Sequence, residues 1–496
     1  MKERAVVIGA GFAGISAAAS LAKEGYDVTV LEKNGQAGGR ARVLREQGFT
    51  FDMGPSWYWM PDVFEAWFAR FDQRPADHYD LVRLDPSYQV VHSESDHWKV
   101  PAGRRELRSF FEATEVGAGE ALDRFLEEAR VKYELGMSEL VHRPALSWLE
   151  FVHPKLIGGL FRSAVFRSMR GHVARYFKDE RLRKLMEFPV LFLGATPENT
   201  PALYSLMNYA DMALGTWYPM GGMGRVVDGM LNVAKTEGAR FQFNQAVEEV
   251  VVRNGQVTGV RTAEAEFTAD IVVAAADYNH VEQHLLAEEH RCHTPAYWNG
   301  RVMAPSSLLL YLGFDIKLPG LEHHNLFFDA SLDDHAHAIY KEPRWPEKPL
   351  IYFCVSSKTD ASVAPSGHEN VFALIPVAPG LAESPLVREH YTKLILARLA
   401  AHTGVAVQDH VVYQRSYCGS DFQNDYNAFR GNAYGLANTL RQTAVLKPSV
   451  KSAKVRGLYF AGQLTVPGPG VPPALISGQL VADLIVREHS RYRQRA

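Results

Sequence analysis

The chain has 496 residues, a formal net charge of −3 and 47% hydrophobic residues, a length that suits about two or three folded units and a balance that excludes a strongly basic nucleic-acid binder. Cys292, Cys354 and Cys418 stand far apart with no C-x-x-C spacing, which argues against a disulfide framework or a zinc site and for reduced thiols. No run reaches the ~20 apolar residues of a membrane span, and the first strand begins too early for a cleavable leader, so the expected compartment is the cytoplasm.

The densest pattern comes first. The apolar run Ala5-Val6-Val7-Ile8 leads directly into Gly9-Ala10-Gly11-Phe12-Ala13-Gly14 and then a helix carrying Ile15, Ala18 and Leu21. This order predicts a buried parallel strand, a tight turn and a helix whose N-terminus presents unpaired N–H groups, those of Phe12 and Ala13 included, to a phosphate. Gly9 permits the turn, Gly11 lets backbone approach a pyrophosphate, and Gly14 brings the helix close to the sheet. A second strand, 26–31, ends in Glu32 and Lys33, and an acid at that distance suits the ribose hydroxyls of an adenine dinucleotide. Gly38-Gly39-Arg40 adds a second glycine turn with a cation. Nicotinamide enzymes do not need that addition, whereas a flavin lying across the domain has a use for it, so the cofactor reads as FAD.

Residues 41–51 read as extended chain, followed by three aromatics, Trp57-Tyr58-Trp59, beside a Gly-Pro turn. They suit either core or the mouth of an apolar cavity. Asp52 suits a cap on the following turn, and also stands as a candidate proton acceptor. Residues 86–100 alternate as strands with Val90 and Val91 buried, and 109–140 form an amphipathic helix pair. From Lys155 to Lys184 nine cations face only Asp179 and Glu180, with Leu156, Leu160, Phe161, Phe166 and Met169 between them. That is the pattern of a helix resting on an anionic bilayer, or of a solvated basic face on a helix that packs inward. Glu150, which opens this segment, is the second candidate proton acceptor.

Downstream, Trp217-Tyr218-Pro219-Met220-Gly221-Gly222-Met223-Gly224 precedes a helix through Met230 and a strand at 240–243. A meander follows, 247–252 and 256–262 joined at Asn254-Gly255, and then an apolar strand, 269–276, ending in Asp277. Strands at 308–314, 350–355 and 370–377 accompany a helix at 389–401. His323, His324, His335 and His337 have neither a shared helix face nor a zinc spacing, so solvent-exposed loops and no metal site are expected. Finally, 458–463 is a strand entering a glycine turn, and Pro467-Gly468-Pro469-Gly470-Val471-Pro472-Pro473 opens a last helix, a second N-terminus available to the cofactor.

Four stretches, 6–40, 217–225, 247–277 and 457–485, resemble in order the bacterial-type phytoene desaturases, FAD-dependent carotenoid dehydrogenases of the flavin amine oxidase superfamily. The Pro-Gly-x-Gly-Val-Pro core at 467–472 is the most specific of these matches. The resemblance implies an α/β fold: a Rossmann-like FAD-binding domain built from the discontinuous segments 1–90, 226–295 and 431–496, a mixed α+β substrate domain at 296–430, and a helical, membrane-facing part at 91–225. It adds Val247, Gly462 and Val471 to the cofactor residues Gly9, Gly11, Phe12, Ala13, Gly14, Glu32, Lys33, Gly39 and Arg40. Many relatives carry an acid where this chain has Gln463. The implied chemistry is the removal of hydrogen from a long apolar polyene such as phytoene, by hydride transfer to FAD and proton loss from the neighbouring carbon. A quinone or oxygen would reoxidise the flavin, with the protein peripheral on the inner face of the cell membrane. Rival readings are a carotenoid isomerase, a desaturase of a hydroxylated or shorter polyene, a flavin amine oxidase and a prenyl-binding escort.

Overall fold

A strand that is apolar on both sides must be covered on both sides. Arg4–Ile8 meets that condition with one hydrophobic core on each face, and within the sheet it lies between Asp27–Leu31 and Ile271–Ala274, parallel to each. Arg240–Gln242 and Leu458–Phe460 extend the sheet outward, giving five parallel strands in the order 458–460, 271–274, 4–8, 27–31, 240–242. The computed structural model describes residues 2–151, 167–193, 196–439 and 441–493.

Alternate residues of the central strands enter different cores. Ala5, Val7, Val28 and Val30 pack with the helices Phe12–Lys23, Met223–Thr236 and Val471–Arg493. Val6, Ile8 and Leu31 pack instead under Val250, Val257 and Val260 of the antiparallel meander Val247–Arg253, Gln256–Thr262, Glu266–Thr268. Two of the helices touch backbone to backbone: a Cβ on Gly478 would stand 2.2 Å from the Ala13 carbonyl oxygen. Ser16 Oγ, within that contact, donates to the Leu475 carbonyl at 2.8 Å and accepts from Trp67 Nε1 at 2.9 Å.

The second sheet has seven strands in the order Val411–Tyr417, Ser306–Phe314, Glu369–Val377, Ile351–Cys354, His324–Phe327, Tyr88–Val91, His97–Val100. All pairings are antiparallel except that of 88–91 with 324–327. One face, with Leu309, Tyr311, Leu326, Tyr352 and Cys354, joins the main core around the nucleotide half. The other face, with Leu308, Leu310, Phe327 and Phe353, packs on Tyr391, Ile395 and Leu399 of the helix Pro385–Thr403. Strand Tyr88–Val91 crosses the boundary placed at residue 90, because its register with 324–327 binds it to this second sheet.

The helices Arg104–Thr114 and Ala118–Leu135 form the expected amphipathic pair. Much of the basic stretch, 152–166, lies outside the described residues, Arg162 among them. The described remainder departs from a bilayer-facing surface. Met169 is fully buried. Arg170 pairs with Asp333 at 2.7 Å and with Glu187 and Glu198, and Arg181 reaches Asp96 at 3.1 Å while lying 4.7 Å over Trp98. These cations are neutralised by acids far away in sequence, which local composition does not register. Among the described residues no helix is long and apolar enough to cross a membrane.

Candidate functional site

The helix Phe12–Lys23 starts without a side-chain cap, on Gly11. Its first closing bond runs from Ile15 N–H to the Gly11 carbonyl at 2.9 Å, so the amides of Phe12, Ala13 and Gly14 have no acceptor within the helix and carry its positive end. The three glycines are required for different reasons. Gly9 has a φ of +98°. A Cβ on Gly14 would stand 1.9 Å from the Gly9 carbonyl oxygen, so packing alone demands glycine there. A Cβ on Gly11 would meet only Gly39 Cα, at 3.9 Å; packing tolerates a larger residue, and the space left is what a pyrophosphate uses.

The second glycine turn closes over the first. Gly38 N–H donates to the Ala10 carbonyl at 2.8 Å, and Gly39 sits close enough to Gly11 that a Cβ would lie 3.3 Å from its Cα. Glu32, buried at the end of its strand, accepts from Ala10 N–H at 2.7 Å and from the backbone and side-chain amides of Asn34 at 2.8 and 2.9 Å. Its own carbonyl accepts from Gln245 N–H at 2.8 Å, which fixes the approach to Val247 at the start of the meander. Lys33 turns away from this turn. Its ammonium donates to Asn427 Oδ1 at 3.1 Å and to the Asn424 carbonyl, so it clamps that loop and does not reach the glycines.

Arg40 is partly buried, with Nη2 donating to the Asn432 carbonyl at 3.0 Å and the guanidinium 5.2 Å over the Tyr426 ring. With its amide turned so that the oxygen faces the guanidinium, Gln463 accepts from Arg40 Nη2 and Nη1 at 2.9 and 3.3 Å, which places the residue that departs from many relatives directly on Arg40. Burial works against the Arg40 charge, and Asp277 is the principal group supporting it. Asp277 in turn accepts from His280 and Phe429 N–H, both at 3.1 Å, while burial raises its pKa. Gly462, with a φ of +114°, donates to Ser477 Oγ at 3.0 Å, and Val471 opens the helix packed on Phe12–Lys23. Arg40 Nε is buried without a partner. That orphaned cationic donor, the unfilled space at Gly11 and the uncapped helix suit a dinucleotide pyrophosphate, so the residues fit FAD.

Neither carboxylate proposed as a proton acceptor is free. Asp52 accepts from Met223 N–H at 2.8 Å and Gly224 N–H at 3.2 Å, capping the helix Met223–Thr236 and not the turn that follows it in sequence. Burial pushes its pKa up to about 6 against those bonds. Glu150 accepts from Ala145, Leu146 and Ser147 N–H at 3.0, 2.8 and 3.1 Å and so serves its own turn.

The histidines are also placed differently from the expectation. His323, His324 and His335 are buried, because His324–Phe327 is an inner strand and His335 lies on a helix against the sheet. His335 Nδ1 accepts from Leu350 N–H at 2.9 Å and Nε2 donates to the Pro376 carbonyl at 2.8 Å, a purely structural bridge. The imidazole of His324 stacks on Trp57 at 4.0 Å with 10° between planes, while Tyr58 and Trp59 are core.

Two buried ionisable groups gave no local signal. Asp211 accepts from Tyr88 OH at 2.8 Å and Thr216 Oγ1 at 3.1 Å, and burial raises its pKa to about 7. Lys447 donates to Asn438 Oδ1 at 2.8 Å beside Gly468, and burial lowers it to about 7. Both lie in segments of mixed composition where only the tertiary fold reveals burial.

The family model described as flavin-containing amine oxidoreductase matches residues 12–486. The chain is 42% identical to a carotenoid 3,4-desaturase of Haloarcula japonica, over 98% of each chain. It is 33% identical to a zeta-carotene-forming phytoene desaturase of Myxococcus xanthus, over 97% of this chain and 94% of that one. Among solved structures, an oxidoreductase of Methanosarcina mazei superposes with a TM-score of 0.60 at 17% identity, covering 98% of this chain and 100% of that one. A putrescine oxidase superposes with a TM-score of 0.61 at 14% identity, covering 98% and 99%. At such identities these two share the fold.

Proposed function

Because the chain belongs to the flavin-containing amine oxidoreductases and, within them, to the FAD-dependent carotenoid desaturases, we propose that it introduces a double bond into a long acyclic carotenoid held against the flavin. The observation that carries this reading is the complete cradle at Gly9, Gly11, Gly14, Glu32 and Arg40, with space at Gly11 that packing does not fill. FAD, when bound, supplies the hydride acceptor. The chain's own part is to hold the cofactor by helix dipole, buried carboxylate and guanidinium. Hydrocarbon burial, worth roughly 25 cal/mol per Å², provides substrate binding without polar anchors.

The relative at 42% identity is named for the 3,4 position, which favours an already conjugated chain desaturated near its end over phytoene itself. Peripheral attachment to the inner face of the cell membrane belongs to the same proposal. It is supported by Leu146, Trp148 and Leu149, apolar side chains that are 44%, 61% and 79% exposed on one short segment and suited to dipping into a bilayer surface. A quinone or oxygen is proposed as the electron acceptor.

The test is incubation of the FAD-loaded protein with liposomes carrying phytoene or lycopene, with products followed by absorption and mass. A longer conjugated system two hydrogens lighter is expected. Altered absorption at unchanged mass would replace the desaturase with an isomerase, and peroxide released only on adding amines would replace it with an amine oxidase.

A further inference from the structure

We propose that His323, His324 and Cys354 form a binding site for one thiophilic transition-metal ion on the inner face of the seven-stranded sheet. His324 and Cys354 are register partners on adjacent antiparallel strands, so their side chains leave the same face next to each other. His323 precedes the strand and turns onto the same spot, its ring 4.5 Å from that of His324. One ring nitrogen of each histidine and the Cys354 sulfur all lie within 4.8 Å of one another. Donors placed about 2.0–2.3 Å from a shared ion are slightly closer than that, so closure takes side-chain shifts of about 1 Å.

A second observation also points to a ligand. His323 Nδ1 meets Thr359 Oγ1 and His324 Nδ1 meets Tyr352 OH, each at 2.7 Å, while both Nε2 atoms are buried without a partner. Two imidazoles oriented through one nitrogen, with the other unsatisfied, have the arrangement that outer hydrogen bonds give to metal-ligating histidines. Tyr352 OH is further fixed by Ser56 Oγ at 2.7 Å. Trp57 over His324 and Tyr218 at 4.6 Å from His323 wall the cluster with aromatic rings. The cluster supplies one sulfur and no carboxylate, so its bound form carries a single negative charge. A soft monovalent ion, Cu(I), matches the thiolate and makes the set of three ligands neutral, whereas Zn(II) leaves that set with one positive charge. Bound there, the ion would bolt the strand 324–327 to 351–354 and stiffen the wall behind Trp57.

The FAD-loaded full chain, exposed without oxygen to Cu(I) or to Zn(II) and then passed over a chelator, should retain about one copper per chain. Cys354→Ser should retain at least tenfold less with its flavin content unchanged. His323→Gln supplies the same comparison if the serine variant folds poorly. X-ray absorption at the metal edge of the unmutated protein should show sulfur and nitrogen neighbours. Retention of zinc but not copper supports the site and overturns its monovalent charge. Equal retention by wild type and variants, no retention by either, or a sulfur-free coordination shell overturns the site and leaves a hydrogen-bonded pair of neutral rings.

Discussion

The two sheets bury apolar strands to similar depth, yet they constrain the sequence in different ways. In the five-stranded parallel sheet the constraints are on backbone: Gly14 cannot carry a Cβ against Gly9, and Gly9 needs a positive φ. In the seven-stranded sheet they are on side chains: two histidines, a tyrosine and a cysteine are packed where alternation would put aliphatic residues. The constraint at Gly14 comes from a neighbour in the same turn, whereas that on His324 and Cys354 comes from the pairing of two separate strands.

The largest break should come at Gly14. Gly14→Val puts carbon within contact distance of a carbonyl, and the overpacking should cost about 3 kcal/mol or more, seen as loss of soluble, yellow protein. Gly11→Ala sharpens the contrast, because packing there is open: melting temperature should change little while flavin is lost on gel filtration. If both variants behave alike, the two glycines do not differ as described.

Next, Glu32→Ala should weaken FAD binding by about 1.5–3 kcal/mol through lost charged hydrogen bonds, measured as flavin retained against dilution. An intermediate effect is expected from Asp211, whose folded pKa is raised from 3.8 to about 7. Between those values the native state binds the extra proton, so its contribution is complete below about pH 4 and is lost as pH rises through 7. Stability should therefore fall across that window by at most about 1.4 kcal/mol per pH unit, read as a falling melting temperature. Asp211→Asn, which keeps an acceptor for one of the two hydroxyls and offers its amide N–H to the other, should flatten the slope. Smallest is Glu150→Gln: a carboxylate that serves its own turn should leave turnover within about twofold, with only a stability loss near 1 kcal/mol.

The glycine cradle was readable because its strand, turn, helix and acid fall within forty consecutive residues, each with a distinct physical demand. Asp277 was visible as a strand end, but its bond to Phe429 N–H was not, since that partner arrives from another part of the chain. The same distance hid the partners of Arg170 and Arg181 and made a charge cluster look like an exposed cationic face. His323 and His324 were misplaced because an inner strand of four residues is too short for its periodicity to stand out. Lys33 was assigned to the cofactor by adjacency to Glu32, whereas its side chain follows the opposite direction toward Asn427.

The strand order of the parallel sheet has a consequence for biosynthesis. Leu458–Phe460 forms one edge and Val471–Arg493 covers the same helix that begins at Phe12. Translation at about 5–20 residues per second separates these parts by roughly half a minute to a minute and a half. During that interval the nascent nucleotide half exposes apolar strands and an unroofed glycine turn. The fold around the glycine turn therefore closes only once these late elements have been made, and yield in a foreign host should rise with chaperone supply.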